Sequence, residues 1–595
     1  MKKSTLLLLC ILFYFISADA QGWQWAKHTV SVSPGHAPYY TSSEPSFITT
    51  DKFGNVFNAW GNVPDFPGLT GTVTNFGSYT VTDSSDARQC FLTKNNASGN
   101  FMWTVGSQHS EAYIEGVATD VSGNSYVLGV YDSTDFSFGN YPLSHVPFTS
   151  YDFMYFMAKI TESGTVLWAK NICPTIIFGH GLIQVDNAGN IYVAGDFTGS
   201  TVTIGTTTLV NAGGIGVQSD LFIAQFDSSG NSVWAERFGG TGTEHWAGFV
   251  ASGGGDLYLS GSYLDETTLL FGTHTLSGPN DSGSFIVKIN NSGTPEWVTG
   301  PDKYVSLWPN SLVADSSFNI YITGGFESTT VAFGGFTLTN TMYGYDDFFL
   351  VKYDSSGACQ WARSAGGDLN ETGYNLALDK CGNLWVTGGG FVPSATAGYP
   401  MNFDGDTVRI PSGSTPSDLL FIAHYETTGS FVNCLFFPGG GEDACGIAVD
   451  NFGSFYLGGD WDNQFFTVGS DTFISDASPQ FSGEYFFTSK YFYDTSGCLP
   501  SIGTLDNHQI PISAANCINL FPNPASNECT IHSDEQFLPG SKADLFDISG
   551  RLIKTFSLTG TNTEISVANL PPGIYQCKIY VPGNDPITKK LAIIK

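Results

Sequence analysis

Residues 186–195 read Asp-Asn-Ala-Gly-Asn-Ile-Tyr-Val-Ala-Gly, a polar turn that runs into a short apolar strand. An Asp at the head of such a turn accepts its backbone amides, and the Gly supplies the left-handed residue that a type I turn with a bulge requires. The segment is therefore predicted as a β-hairpin. The pattern begins again at Asp51, Asp120 and Asp379, at Asp315 with Phe318 in the glycine slot, and at Asp450 with Ser454 in the asparagine slot. A worn copy runs from Ser252 through Gly255 and Asp256 to Tyr258. The aromatics Phe57, Tyr126, Tyr192, Tyr258, Tyr321, Trp385 and Tyr456 return about every 66 residues, the mark of a repeat architecture.

Each repeat carries two further markers. One is an apolar strand, often with Lys, then a polar turn ending in Gly, then Trp: Lys159, Gly164 and Trp168; Lys288, Gly293 and Trp297; Lys352, Gly357 and Trp361. Gly99 with Trp103 and Gly230 with Trp234 keep the turn, and the sixth copy has Asn433 where the others have Trp. Between the two elements stands Phe-Gly or a relative, at Phe76, Phe138, Ile204, Phe271, Phe333, Phe403 and Val468. Short runs of β-branched and aromatic residues bounded by Gly, Asn, Asp and Ser read as strands, so each module is predicted as two hairpins, four antiparallel strands. Seven such sheets bury both faces when packed around an axis, as in a β-propeller. The last module lacks its Trp strand, whereas a spare one, Trp23 to Lys27, stands near the start. That strand is expected to complete the seventh module.

The repeats resemble the bacterial SBBP-type β-propeller repeat, with its aromatic strand, Asp-x-x-Gly-Asn hairpin, Lys strand and a Gly-Gly segment at Gly239-Gly240, Gly366-Gly367 and Gly439-Gly440. The resemblance implies a fold and says nearly nothing of a ligand.

Lys2-Lys3, an apolar run from Thr5 to Ala18 and Ala18-Asp19-Ala20 read as a secretory signal peptide cleaved after Ala20. After residue 500 the period stops. Leu520-Phe521-Pro522-Asn523-Pro524-Ala525, then Asp547-Ile548-Ser549-Gly550-Arg551, Leu570-Pro571-Pro572-Gly573-Ile574-Tyr575 and finally Lys589-Lys590-Leu591 through Lys595 follow in the order of the type A C-terminal sorting domain of the type IX secretion system in Bacteroidota, which this stretch resembles. The resemblance implies an immunoglobulin-like sandwich, the type IX machinery as partner, and passage to the outer cell surface or the extracellular space. An accessory adhesive sandwich is the alternative. The expected fold is thus all-β: signal peptide 1–20, a seven-bladed β-propeller closed by an N-terminal strand over 21–498, a linker over 499–518, and a small immunoglobulin-like β-sandwich over 519–595.

Residues 519–595 carry seven acids and seven bases and the leader two lysines and one Asp, so of the net charge of −31 the repeats and linker carry 46 acids against 14 bases, −32. Such a surface repels phosphate backbones and makes nucleic acid an improbable partner. No stretch beyond the leader is long and apolar enough to span a membrane. No Cys-x-x-Cys pair or metal-ligand spacing occurs; Cys529 and Cys577 alternate with Ile531 and Ile579 and are expected inside the sandwich, as a disulfide or as two buried thiols.

Catalytic signatures are absent: no His-Glu-x-x-His, no Gly-x-Ser-x-Gly and no phosphate-binding glycine loop. The run ending at Trp234 misses the sialidase Asp-box spacing by one residue on each side. One constellation stands out. Glu244, Glu371 and Glu442 each lie eight residues before a hairpin, with Glu111 one place displaced, in connectors from one module to the next. They form a candidate site for calcium or sugar hydroxyls, with Trp246, Tyr113, Tyr374 and Trp308 as stacking surfaces. The competing reading is that each Glu bonds the amides of its own Gly-rich loop and each aromatic packs between modules. The function expected is binding of an extracellular glycan or surface protein without catalysis. The alternatives are a carbohydrate-active hydrolase or lyase, and a structural adhesin or surface-layer component.

Overall fold

The hairpin predicted at residue 186 forms through its own side chains. Asp186 Oδ1 accepts the amides of Ala188 and Asn190, both at 2.9 Å. Oδ2 accepts Asn190 Nδ2 at 2.8 Å and the Tyr192 hydroxyl at 3.1 Å. Gly189 turns at φ 82°. The same set of bonds recurs at Asp120, Asp315 and Asp379, with Trp385 Nε1 as the last donor in the fourth case. In the Asp315 copy Phe318 itself takes φ 60°, a left-handed backbone that costs a side-chain-bearing residue roughly 1–2 kcal/mol, and its ring stacks on Tyr258 at 6.2 Å. The marker Lys completes the unit. Lys94 Nζ meets Asp51 Oδ2 at 3.1 Å with both side chains fully buried, and Lys159 and Lys490 pair with Asp120 and Asp450.

The computed structural model describes residues 22–493 and 518–593 apart from short intervals, the longest being 33–46, 63–72 and 475–484. The expected signal peptide and most of the linker lie outside them. Among the described residues every regular element is a strand. Contacts divide the chain into Met1–His508 and Gln509–Lys595.

In the third module, strands Leu182–Val185, Ile191–Phe197, Asp220–Phe226 and Ser232–Phe238 hydrogen-bond antiparallel in sequence order. The two middle strands are buried at every residue, so both sheet faces are covered. The order repeats from module to module. In the seventh, the fourth place is taken by Gly22–His28, which pairs with Tyr485–Phe492 in the register Trp23↔Tyr491, Ala26↔Ser489. First strands touch in succession: Ile48–Thr50, Ala112–Thr119, Leu182–Val185, Thr243–Ala251, Leu307–Ala314, Glu371–Leu378, Gly446–Val449, and the last again touches the first. There Thr50 Oγ1 donates to Val449 O at 2.7 Å.

Four strands per module is too few. The Phe-Gly marker builds a hairpin of its own, Thr201–Ile204 with Thr207–Val210 in module three, and its apolar residue is a core anchor: Phe138, Ile204, Phe271 and Phe403 are fully buried. In two modules this hairpin joins the fourth strand of the preceding sheet, through Phe138↔Ser107 and Phe403↔Ala365. It covers an edge that would otherwise offer unpaired backbone.

The marker Trp links modules. Trp103 Nε1 donates to Glu162 O, Trp234 to Asn291 O, Trp297 to Ser355 O and Trp361 to Thr427 O, at 2.9–3.3 Å. Each lies over the turn glycine of the next module; a Cβ on Gly164 would sit 2.7 Å from Trp103. Trp25 does the same from the N-terminal strand, donating to Ala97 O at 3.1 Å and lying 2.6 Å from where a Cβ of Gly99 would be.

Residues from 518 onward form two antiparallel sheets, Ile518–Phe521, Glu528–Ser533 and Asn562–Ser566 in one, and Leu552–Ser557, Lys542–Phe546, Gly573–Tyr580 and Ile587–Ile593 in the other. They share one core that includes Cys529, Ile531, Leu545, Cys577, Ile579 and Leu591.

Candidate functional site on the connector face

The connectors between modules emerge at the strand ends opposite the Asp-headed turns. Gly239-Gly240 ends the fourth strand of module three, and the Gly240 amide donates to Glu244 Oε1 at 3.1 Å. Glu244 N donates to Ser219 O and Ser219 Oγ to Glu244 O. Gly239 has φ 128°, and a Cβ there would lie 2.6 Å from Glu244 Oε2 and 3.0 Å from Asp220 Oδ1, so only glycine fits. Between modules five and six the Gly367 amide donates to Glu371 Oε2 at 3.1 Å, and a Cβ on Gly366 would meet Asp347 Oδ1. The Gly-Gly pair, the Glu and an Asp opening the third strand are one device. Sequence reading missed the Asp; its signal was Asp220-Leu221-Phe222 and Asp347-Phe348-Phe349 at matching places.

The two Asp residues differ in charge environment. Asp220 accepts the Ala212 amide at 2.8 Å and Arg237 Nε. Asp347 accepts the Thr341 amide and hydroxyl, but the position matching Arg237, opposite Phe349 as Arg237 is opposite Phe222, is Ser364. Burial without a cation pushes the Asp347 carboxyl up to about 6. Beside Glu244, His245 Nδ1 lies 2.6 Å from Asp196 Oδ2. Burial works against its charged form, but the hydrogen bond to Asp196 and that residue's charge outweigh it, so the imidazole titrates above its ordinary range.

The predicted ligand residues are not brought together at the surface. Glu244 and Glu371 are 0% and 1% exposed, and each carboxylate holds its own loop, so a solute would meet it only after the loop opened. Trp246, 2% exposed, donates Nε1 to Phe222 O at 3.1 Å and packs edge-on against Phe285. It is an inter-module core residue and offers no stacking face, because its indole is enclosed by modules three and four. Glu111 is exposed and accepts the Tyr113 hydroxyl at 2.7 Å. Glu442 lies outside the described residues. Trp308, in contrast, is 43% exposed. Among the described residues no group of three or more His, Cys, Asp or Glu side chains is arranged to hold a metal ion.

Cys529 and Cys577 face the interior as free, buried thiols and not as a disulfide; burial pushes them up to about 11 and about 12 respectively, so they stay protonated. Cys381 is disulfide-bonded, and the other described cysteines are free. Of the sorting-motif residues, Tyr575 is buried with its hydroxyl donating to Pro571 O at 2.9 Å, Gly573 opens its strand, and Lys589 and Lys590 pair with Cys577 and Gln576 in register. Pro522, Asn523, Pro524, Gly550 and Lys595 lie outside the described residues.

Residues 519–595 match the Secretion system C-terminal sorting domain. The match supports type IX sorting to the cell surface or the extracellular space. Over 366 residues, 51% of this chain, the sequence is 25% identical to an uncharacterized WD repeat-containing protein of Acanthamoeba polyphaga mimivirus. The aligned stretch spans about a quarter, 26%, of that protein. Among solved structures, the chain is similar to a protein of unknown function from Dyadobacter fermentans (7% identity, 79% of this chain and 99% of that one, TM-score 0.34). It is also similar to PorZ, a surface component of the type IX secretion system of Porphyromonas gingivalis (10% identity, 95% and 100%, TM-score 0.18). No helix among the described residues is long and apolar enough to cross a membrane.

Proposed function

We propose that this protein is a surface-delivered binding protein: an SBBP-type β-propeller of seven blades, closed by the strand Gly22–His28, exported by a leader at residues 1–20 and then by the type IX machinery acting on residues 519–595. The observation that carries the export reading is the match of the last 77 residues to a sorting domain. The propeller reading is supported by the cyclic succession of first-strand contacts, by the WD-repeat description of the mimivirus relative, and by Trp25 standing where modules one to five have their own Trp. Its role is to hold an extracellular glycan or surface protein on the connector face, without catalysis. Buried Glu244 and Glu371 shape that face, and Glu111 and Trp308 stand on it. Deleting 519–595 tests the export reading, because the two units have separate cores: the remainder folds and is expected in the periplasm, and its normal arrival at the surface refutes the proposal. A glycan and surface-protein array probed with the mature protein tests binding, and conversion of any arrayed glycan overturns the non-catalytic reading.

A further inference from the structure

Most acids of the connector face are already engaged, with Glu244, Glu371, Asp220 and Asp347 holding backbone amides and Asp196 the ring of His245. Glu327 and Asp346, at the joint of modules five and six, differ. Among the described residues neither carboxylate has an ion pair or a hydrogen bond, yet the antiparallel register Phe326↔Asp347 sets Glu327 across from Asp346, and burial first, then the charge of Glu327, raises the Asp346 carboxyl above its ordinary range. Their backbones are fixed. Glu327 N donates to Ser306 O at 3.0 Å, Asp346 N to Asn370 Oδ1 at 2.9 Å, and Glu371 N to Asp346 O at 2.7 Å. Two like charges are thus held together with no ion pair to any described residue, an arrangement that an arriving cation relieves.

Aromatic surface stands at the same joint. Trp308 pairs with Gly325, two residues before Glu327, and a side chain at 325 would meet Thr372 Oγ1 of module six at 2.8 Å. The joint is closed beneath, and the indole is left exposed at its mouth. Tyr345, also exposed, is tied to the same strand end, because Asn340 Nδ2 donates to both Tyr345 O and Phe326 O, at 2.8 and 2.9 Å. An aromatic face beside unpaired carboxylates is the chemistry that receives an ammonium or guanidinium group.

We infer that Trp308, Tyr345, Glu327 and Asp346 form a docking site for a lysine- or arginine-bearing segment of a protein partner. This rests on the proposed binding role and chooses the protein over the glycan. The charge of the repeats favours such a partner at long range, and the acid pair gives it a place to anchor.

The test uses the mature full-length protein with acetylated penta-lysine and penta-arginine as probes, followed by tryptophan fluorescence and calorimetry at two salt concentrations. One-to-one binding that weakens with salt is expected, and E327Q/D346N should weaken it about tenfold, the loss expected for one close charge pair. W308A should also weaken it, whereas the control E162Q/D406N, which removes the same net charge elsewhere on the surface, should leave it unchanged. Melting of each variant shows that the fold persists; E327Q alone serves if the double variant does not fold. Equal loss in the control, or no saturable binding, overturns the site. Saturable binding of a neutral oligosaccharide lost in W308A overturns the cationic assignment while leaving the binding role standing, whereas failure on the array removes the role itself.

Discussion

Replacing Trp25 by Ala is the sharpest test of whether the N-terminal strand closes the repeat array. Trp25 donates to Ala97 O, lies over Gly99 and contacts Tyr456 with ring centroids 6.0 Å apart. A fully buried Trp→Ala costs about 3–5 kcal/mol; the side chain is half-buried, which brings this to about 2 kcal/mol, and the lost hydrogen bond adds about 1 kcal/mol. A total of about 3 kcal/mol lowers the Tm of so large a cooperative unit by only about 3 °C, so the comparison is made within the protein. Trp234→Ala removes the equivalent link between modules three and four, and scanning calorimetry should show like shifts for both. Deleting Gly22–His28 removes the whole pairing with Tyr485–Phe492 and should add association through the bared edge, visible in sedimentation. If Trp25→Ala leaves Tm unmoved while Trp234→Ala lowers it, and the deleted protein stays monomeric, the strand is an appendage and the closure reasoning fails.

Three further outcomes are expected. Asp347, whose carboxyl is pushed up to about 6 from an unfolded value near 3.9, contributes stability that is full below the unfolded value and lost as pH rises through 6, about 3 kcal/mol. Asp347→Asn should therefore raise Tm at pH 7 and flatten the pH profile between 4 and 6; an unchanged profile counts against the buried, cation-free carboxylate. His424, stacked on Trp385 at 4.2 Å and pushed down to about 4 by burial, acts in the opposite sense. Its contribution is complete above an unfolded value of about 6.5 and is lost as pH falls through 4, by about 3 kcal/mol, so His424→Leu should protect against acid, measured as residual structure by circular dichroism at pH 4. Glu244→Ala and Glu371→Ala should each destabilise by about 2 kcal/mol, through loop amides left unbonded, whereas Glu111→Gln should not, as urea titration will show; equal effects at all three sites would mean that burial does not separate them.

What the sequence determined by itself is the local part. Asp186 reaches only to residues 188, 190 and 192, so the turn is written within seven residues and its seven copies declare the repeat. The missing Trp of the last module and the spare Trp strand likewise pointed to the pairing of Gly22–His28 with Tyr485–Phe492, because an absence at one end matched a surplus at the other. The motif order after residue 519 carried the sorting match. Tertiary structure alone decided what the acids do. Glu111 and Glu244 stand in nearly the same place in their connectors, yet one is exposed and the other enclosed by Gly239, Gly240 and Ser219, and burial of that kind depends on residues from three strands and the next module. The same holds for Glu327 and Asp346. Nineteen residues apart and in no shared motif, they become a charge pair only because Ile320–Phe326 and Asp347–Tyr353 pair with Phe326 opposite Asp347, which sets Glu327 across from Asp346.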